Sequence, residues 1–164
     1  MSKNTYTVGL VGVTGYTGME MLRCLLQHPR FDLTTVNSRQ EAGKTIAQLF
    51  PQMQSTTLGN LVISEPDVDQ LARDCDLIFL AVPHGTAMHM ASALVQRGVK
   101  VVDLSADFRL KSRDAFESWY NCQHQAPELL ASAVYGLPEL YAADIAQARL
   151  VANPGCYPTS VLLG

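Results

Sequence analysis

The chain has 164 residues, 48% of them hydrophobic and 16% charged, with a formal net charge of −3. That length suits one domain with a substantial core, and the apolar share excludes a disordered chain. With no run of Lys or Arg and no apolar stretch of about 18 residues, the sequence offers no footprint for a nucleic-acid backbone, an anionic membrane or a bilayer span, so small molecules are the expected partners.

In chain order, residues 1–7 are polar and contain no signal segment, which gives a cytoplasmic expectation. Thr7 to Val13 is β-branched and apolar, as in a strand buried on both faces, and Tyr16 to His28 spaces Met19, Leu22, Leu25 and Leu26 along one helical face. Phe31 to Asn37 is a second strand, with Pro29 ending the helix before it. Ala42 to Phe50 and Asp67 to Arg73 are short helical candidates, and Leu61 to Ser64 a small strand. Leu77 to Val82 is another buried strand, Thr86 to Arg97 a helix stopped by Gly98, and Lys100 to Leu104 a further strand. A helix is expected over Arg113 to Tyr120, followed by a polar stretch punctuated by Pro127, Gly136 and Pro138. Arg149 to Ala152 is a last strand, and Tyr157 to Leu163 begins a helix. Strands and helices alternating in this way predict an α/β fold: a Rossmann-type, doubly wound, mostly parallel sheet with helices on both faces. One domain is expected over residues 1–164.

The turn between the first strand and helix reads Gly12-Val13-Thr14-Gly15-Tyr16-Thr17-Gly18, a G-x-x-G-x-x-G variant of the dinucleotide fingerprint in its strand-to-helix context. Glycines permit φ values and backbone approaches that a Cβ would block, and a helix N-terminus attracts a pyrophosphate. The plainer alternative is a tight turn that uses glycine for geometry alone. Where an NAD-specific domain places an acid at the end of the second strand, this chain has Ser38 and Arg39, a hydroxyl beside a guanidinium that suits a 2′-phosphate and hence NADP(H). Glu41 counts the other way, since a small loop shift would turn it toward a ribose hydroxyl.

Cys156 lies in Asn153-Pro154-Gly155-Cys156-Tyr157-Pro158-Thr159, a strand-loop-helix junction with Pro158 in the first helical turn. A helix N-terminus favours the thiolate, and its free amides suit an oxyanion; the alternative is an inert packing cysteine. Cys24 and Cys75 read as packing residues. The four cysteines and four histidines have no ligand spacing, so neither disulfides nor a metal site is expected.

Taken together, GVTGYTG, Ser38-Arg39, AVPHG (Ala81 to Gly85), DLSADFR (Asp103 to Arg109), YGLPE (Tyr135 to Glu139) and NPGCYPTS (Asn153 to Ser160) resemble the N-acetyl-gamma-glutamyl-phosphate reductase family of the aspartate-semialdehyde dehydrogenase superfamily. The resemblance implies that Cys156 is the nucleophile, that Arg109 and Asn153 bind substrate with Arg109 on its phosphate, and that NADP(H) is held by Gly12, Thr14, Gly15, Tyr16, Thr17, Gly18, Ser38, Arg39, Ala81, Pro83, His84 and Ser105. A salt-bridged surface arginine is the alternative for Arg109, and His84 reads as orienting the cofactor loop rather than exchanging protons. The resemblance further implies a substrate acyl phosphate, a role in arginine biosynthesis, a homo-oligomer in the full-length protein, and a second domain beyond the cysteine that these 164 residues lack. Two other functions fit less well: aspartate-semialdehyde dehydrogenase, and a dinucleotide-sensing module without turnover, which would need no Cys156.

Overall fold

The computed structural model describes residues 5–164, so the reading of residues 1–4 lies outside the described residues. The chain divides into two units, residues 1–81 and 82–164.

In the first unit, β1 (Tyr6–Val11) runs into α1 (Tyr16–Leu26), followed by β2 (Phe31–Asn37), the single-turn α2 (Ile46–Leu49), β3 (Ile63–Ser64), α3 (Val68–Asp74) and β4 (Leu77–Leu80). The strand order is β3-β2-β1-β4 and every ladder is parallel, with Tyr6 opposite Phe31, Val11 opposite Asn37 and Leu80 opposite Val11. Side-chain alternation along β1 explains how the sheet is covered. Val8 and Leu10 pack with Leu22 and Leu25 of α1. Gly9, between them, points the other way: a Cβ there would lie 3.1 Å from both Leu71 Cδ2 and Cys75 Sγ, so the missing side chain lets α3 approach. Helices therefore cover both faces of β1, the doubly wound arrangement of a Rossmann fold.

In the second unit, α4 (Ala87–Gln96) leads to β5 (Lys100–Asp103), α5 (Arg113–Tyr120), β6 (Val134–Tyr135), α6 (Pro138–Gln147), β7 (Leu150–Ala152) and α7 (Cys156–Leu163). Its strands lie in the order β5-β7-β6, again parallel, with Asp103 beside Ala152 and Tyr135 beside Ala152 on the other side. Gly98, at φ +83°, ends α4, and Phe108 and Phe116 are buried in the core of this unit.

Three sequence expectations need correction. The helix over Ala42 to Phe50 shrinks to Ile46–Leu49, because Gly43 at φ +90° turns the chain first and Thr45 caps only the last turn. The polar stretch after Tyr120 hides β6 and the ten-residue α6; α6 buries no side chain and is broken at Tyr141, so it leaves no periodic apolar stripe to read. Cys24 is exposed on α1, whereas Cys75 is buried as expected.

Candidate active site

The glycine turn belongs entirely to the first unit. Gly12 adopts φ +89°, open to a residue without a Cβ, and its amide donates to Asn37 O at 2.9 Å. Gly18 serves packing: a Cβ on it would fall 2.4 Å from Gly12 O and 2.7 Å from Val13. Gly15 differs from both, since the nearest atom to a Cβ there is 4.0 Å away, and the open face it leaves lies at the N-cap of α1, where no side chain caps the helix. The first amides of a helix have no partner within it. Thr14, Gly15, Tyr16, Met19 and Phe50 line a cleft of about 190 Å³ at this point. An uncapped helix end, an open glycine and an adjacent cleft fit a pyrophosphate.

Ala81 continues β4 beside the turn, its amide donating to Val11 O at 2.8 Å. At the end of β2, Ser38 is buried and its hydroxyl accepts from Gln40 N at 3.3 Å, while Arg39 is exposed. The Glu41 carboxylate forms a 2.5 Å ion pair with Lys44.

In the second unit a buried chain of polar groups underlies the DLSADFR loop. Asp103 accepts from Ser105 N (2.9 Å) and Ser105 Oγ (2.8 Å), and Ser105 Oγ in turn accepts from Asp107 N (3.1 Å). Asp107 Oδ1 accepts from Gly85 N at 2.7 Å and so ties down the Pro83-His84-Gly85 loop, where Gly85 adopts φ +80°. Pro83 and His84 are exposed on that loop. His124 closes the network: its Nδ1 accepts from Ala126 N, which leaves the Nε2 hydrogen to donate to Asp107 O at 2.7 Å. Burial pushes the Asp103 carboxyl up to about 6; the Asp107 charge adds to the rise, while the Ser105 hydrogen bonds and Arg109 oppose it.

Arg109 is half-buried and clasps backbone rather than an acid. Its Nε donates to Asn153 O at 2.7 Å and its Nη2 to Leu104 O at 3.1 Å. A Cβ on Gly155 would come within 3.1 Å of Nη1, so the guanidinium lies against the residue that caps α7. Asn153 is further held by Asp103, whose carbonyl accepts its amide at 2.8 Å, and its own Nδ2 donates to Pro154 O. Cys156 is exposed at the first position of α7, and no side chain caps that helix. Pro158 removes no hydrogen bond there, because the first-turn amides are unpartnered in any helix. Arg109 also lines a groove of about 710 Å³ with Lys111, Tyr135, Tyr141 and Arg149.

Of the predicted residues, the structure brings Gly12, Thr14, Gly15, Tyr16, Thr17, Gly18, Ser38, Arg39 and Ala81 together in one unit, and Pro83, His84, Ser105, Arg109, Asn153 and Cys156 in the other. The sequence reading overlooked Asp103, Asp107 and Gly136. The first two were legible as polar residues alternating with Ser105 and Arg109 through a short motif. Gly136 is needed because a Cβ would lie 3.1 Å from Asn153 Cα, a constraint visible only once β6 and β7 pair. Among the described residues no three His, Cys, Asp or Glu side chains come together as a metal site, and no helix is long and apolar enough to cross a membrane.

Residues 7–148 match the family described as semialdehyde dehydrogenase, NAD binding domain. An N-acetyl-gamma-glutamyl-phosphate reductase from Alkalilimnicola ehrlichii is 54% identical over 96% of this chain and 45% of its own length. The chain thus spans about half the length of the curated relatives it matches. Aspartate semialdehyde dehydrogenase II of Vibrio cholerae, solved with ASA, shares the fold at a TM-score of 0.68 and 19% identity over 97% of this chain and 44% of that one. The Candida albicans aspartate semialdehyde dehydrogenase, solved with NADP, does so at 0.62 and 21% over 87% and 36%. The turn geometry, the parallel β3-β2-β1-β4 order and these matches lead to one conclusion: the chain belongs to the semialdehyde dehydrogenase NAD-binding domain family, with relatives named N-acetyl-gamma-glutamyl-phosphate reductase.

Proposed function

We propose that this chain is the NADP-binding half of a reductase that converts N-acetyl-gamma-glutamyl phosphate to N-acetylglutamate semialdehyde in arginine biosynthesis, with Cys156 as nucleophile. The observation that carries the reading is the Arg109 clasp on Asn153, which holds the loop leading to an exposed thiol at an uncapped helix start, with the guanidinium against Gly155. In this reaction the Cys156 thiolate attacks the acyl carbon, the bond to the phosphate oxygen breaks, and phosphate leaves a thioester on Cys156. Arg109 Nη1 offers charge-assisted hydrogen bonds to that phosphate, and the first amides of α7 donate to the oxyanion. When bound, NADPH would supply the hydride for the thioester, and collapse of the thiohemiacetal on Cys156 would release the aldehyde and restore the thiolate. Gly15 and the α1 amides hold the pyrophosphate, Ser38 and Arg39 the 2′-phosphate, and the Ala81 to Gly85 segment with Ser105 the remainder of the cofactor.

In this reading a second domain, beyond the part of the relatives that this chain matches, completes the substrate site and the homo-oligomer, and the enzyme works in the cytoplasm. Residues 1–164 alone then have little turnover, because holding thiolate, donor and acyl carbon in attack geometry is worth roughly 7 to 11 kcal/mol of barrier. Calorimetric titration with NADPH and NADH tests the cofactor reading: Arg39→Ala should weaken NADPH about tenfold and leave NADH unchanged. An equal loss for both would remove the 2′-phosphate role.

A further inference from the structure

We propose that Lys44 is a cofactor-specificity residue that acts through Glu41: by pairing with this carboxylate it keeps an acid at the end of β2 from repelling a 2′-phosphate. The inference rests on the NADP reading above and deepens it. Glu41 is the one acid in the loop that follows Ser38 and Arg39, where a free carboxylate would favour a ribose hydroxyl over a phosphate.

The fold leaves that carboxylate little freedom. Glu41-Ala42-Gly43-Lys44 is a tight turn: Lys44 N donates to Glu41 O at 3.2 Å, and Gly43 sits at φ +90°, a conformation that L side chains rarely adopt. The ends of such a turn face each other, which brings Lys44 Nζ to 2.5 Å from Glu41 Oε2. That oxygen is shielded from water and meets no other donor among the described residues. Two hydrogen bonds of 2.8 Å fasten the turn to Ile63, one from Gly43 N to Ile63 O and one from Ile63 N to Lys44 O. The next residue of β3, Ser64, holds the phosphate-side segment: its carbonyl accepts Ser38 N at 3.0 Å and its hydroxyl accepts Asn37 Nδ2 at 2.9 Å. Adjacent residues of one strand thus anchor both the Glu41–Lys44 pair and Ser38. The pair is built into the place where the 2′-phosphate is expected, and an ion pair whose lysine is exposed adds little to stability but can still decide the local sign of charge.

The test measures binding of NADPH, NADH, adenosine 2′,5′-bisphosphate and 5′-AMP by calorimetry to the protein and to Lys44→Met, Glu41→Gln, Lys44→Arg and the Glu41→Gln/Lys44→Met double variant. Lys44→Met should weaken NADPH and the bisphosphate about tenfold and leave NADH and 5′-AMP unchanged or tighter. The double variant should recover to within about twofold of the parent, and Lys44→Arg should stay near it. A Lys44→Met protein with unchanged NADPH affinity overturns the inference, as does a double variant no better than Lys44→Met, since Lys44 would then be touching the phosphate itself. A parent protein that binds NADH as tightly as NADPH overturns the NADP reading and the inference with it.

Discussion

The Arg109 guanidinium is fastened to Asn153: its Nε reaches the Asn153 carbonyl at 2.7 Å, three residues before Cys156, while its Nη2 takes the carbonyl of Leu104 after β5. One side chain thus ties the DLSADFR loop to the loop that precedes Cys156. Arg109→Met leaves two carbonyls without their charged donor, and hydrogen bonds to charged groups are worth about 1.5 to 3 kcal/mol each. Because the guanidinium is half-buried and water takes over part of each bond, the expected outcome is a loss of about 2 kcal/mol in urea unfolding. Arg109→Lys, which lacks the planar fork, should recover less than half of it.

The buried Asp103 gives the second unit a pH-dependent stability. Its pKa is raised from 3.8 to about 6, first by burial, so the folded state holds the proton more tightly than the unfolded chain. That contribution is present below the unfolded value and is lost as pH rises through the folded one. Asp103→Asn keeps the shape and removes the titration. Compared with the variant, the parent should lose on the order of 2 kcal/mol between pH about 4 and about 6.5 in urea unfolding.

The glycines of the first turn separate stability from binding. Gly18→Ala drives a Cβ into backbone at 2.4 to 2.7 Å and should cost about 2 kcal/mol or more by thermal or urea unfolding. Gly15→Ala meets nothing closer than 4.0 Å and should leave stability within about 0.5 kcal/mol. It should nonetheless weaken NADPH about tenfold by calorimetry, because a Cβ would then occupy the open face at the α1 N-cap.

What the sequence made legible follows from what periodicity and glycine can encode. Phe31–Asn37 and Arg113–Tyr120 have the bounds expected from pattern alone, since each is framed by breakers or caps and carries a clear apolar signal. The GVTGYTG turn was readable because strand, glycines and helix follow one another within the chain. The link from Asp107 to Gly85 was not, because it spans 22 residues. The kinked α6, with no fully buried side chain, escaped for want of an apolar stripe, and the clasp of Arg109 on Asn153 joins residues 44 apart.

Thiol reactivity should distinguish Cys24, Cys75 and Cys156. Cys75 is buried, and burial pushes its thiol pKa up, so it should react last. Cys24 is exposed in the body of α1, whereas Cys156 is exposed at the uncapped start of α7. Brief, substoichiometric alkylation followed by mass-spectrometric mapping should label Cys156 ahead of Cys24. Equal labelling of the two would mean that the helix start gives Cys156 no advantage.

The most direct test of Cys156 as the nucleophile of an acyl-phosphate reductase is the reverse reaction. NADP reduction is followed with N-acetylglutamate semialdehyde and phosphate, using a protein extended through the full length of the relatives, its Cys156→Ala variant, and residues 1–164 alone. The extended parent should turn over in a phosphate-dependent manner, and Cys156→Ala and the 164-residue chain should each fall by at least about a thousandfold. An extended Cys156→Ala protein that keeps the parent's rate would contradict the account.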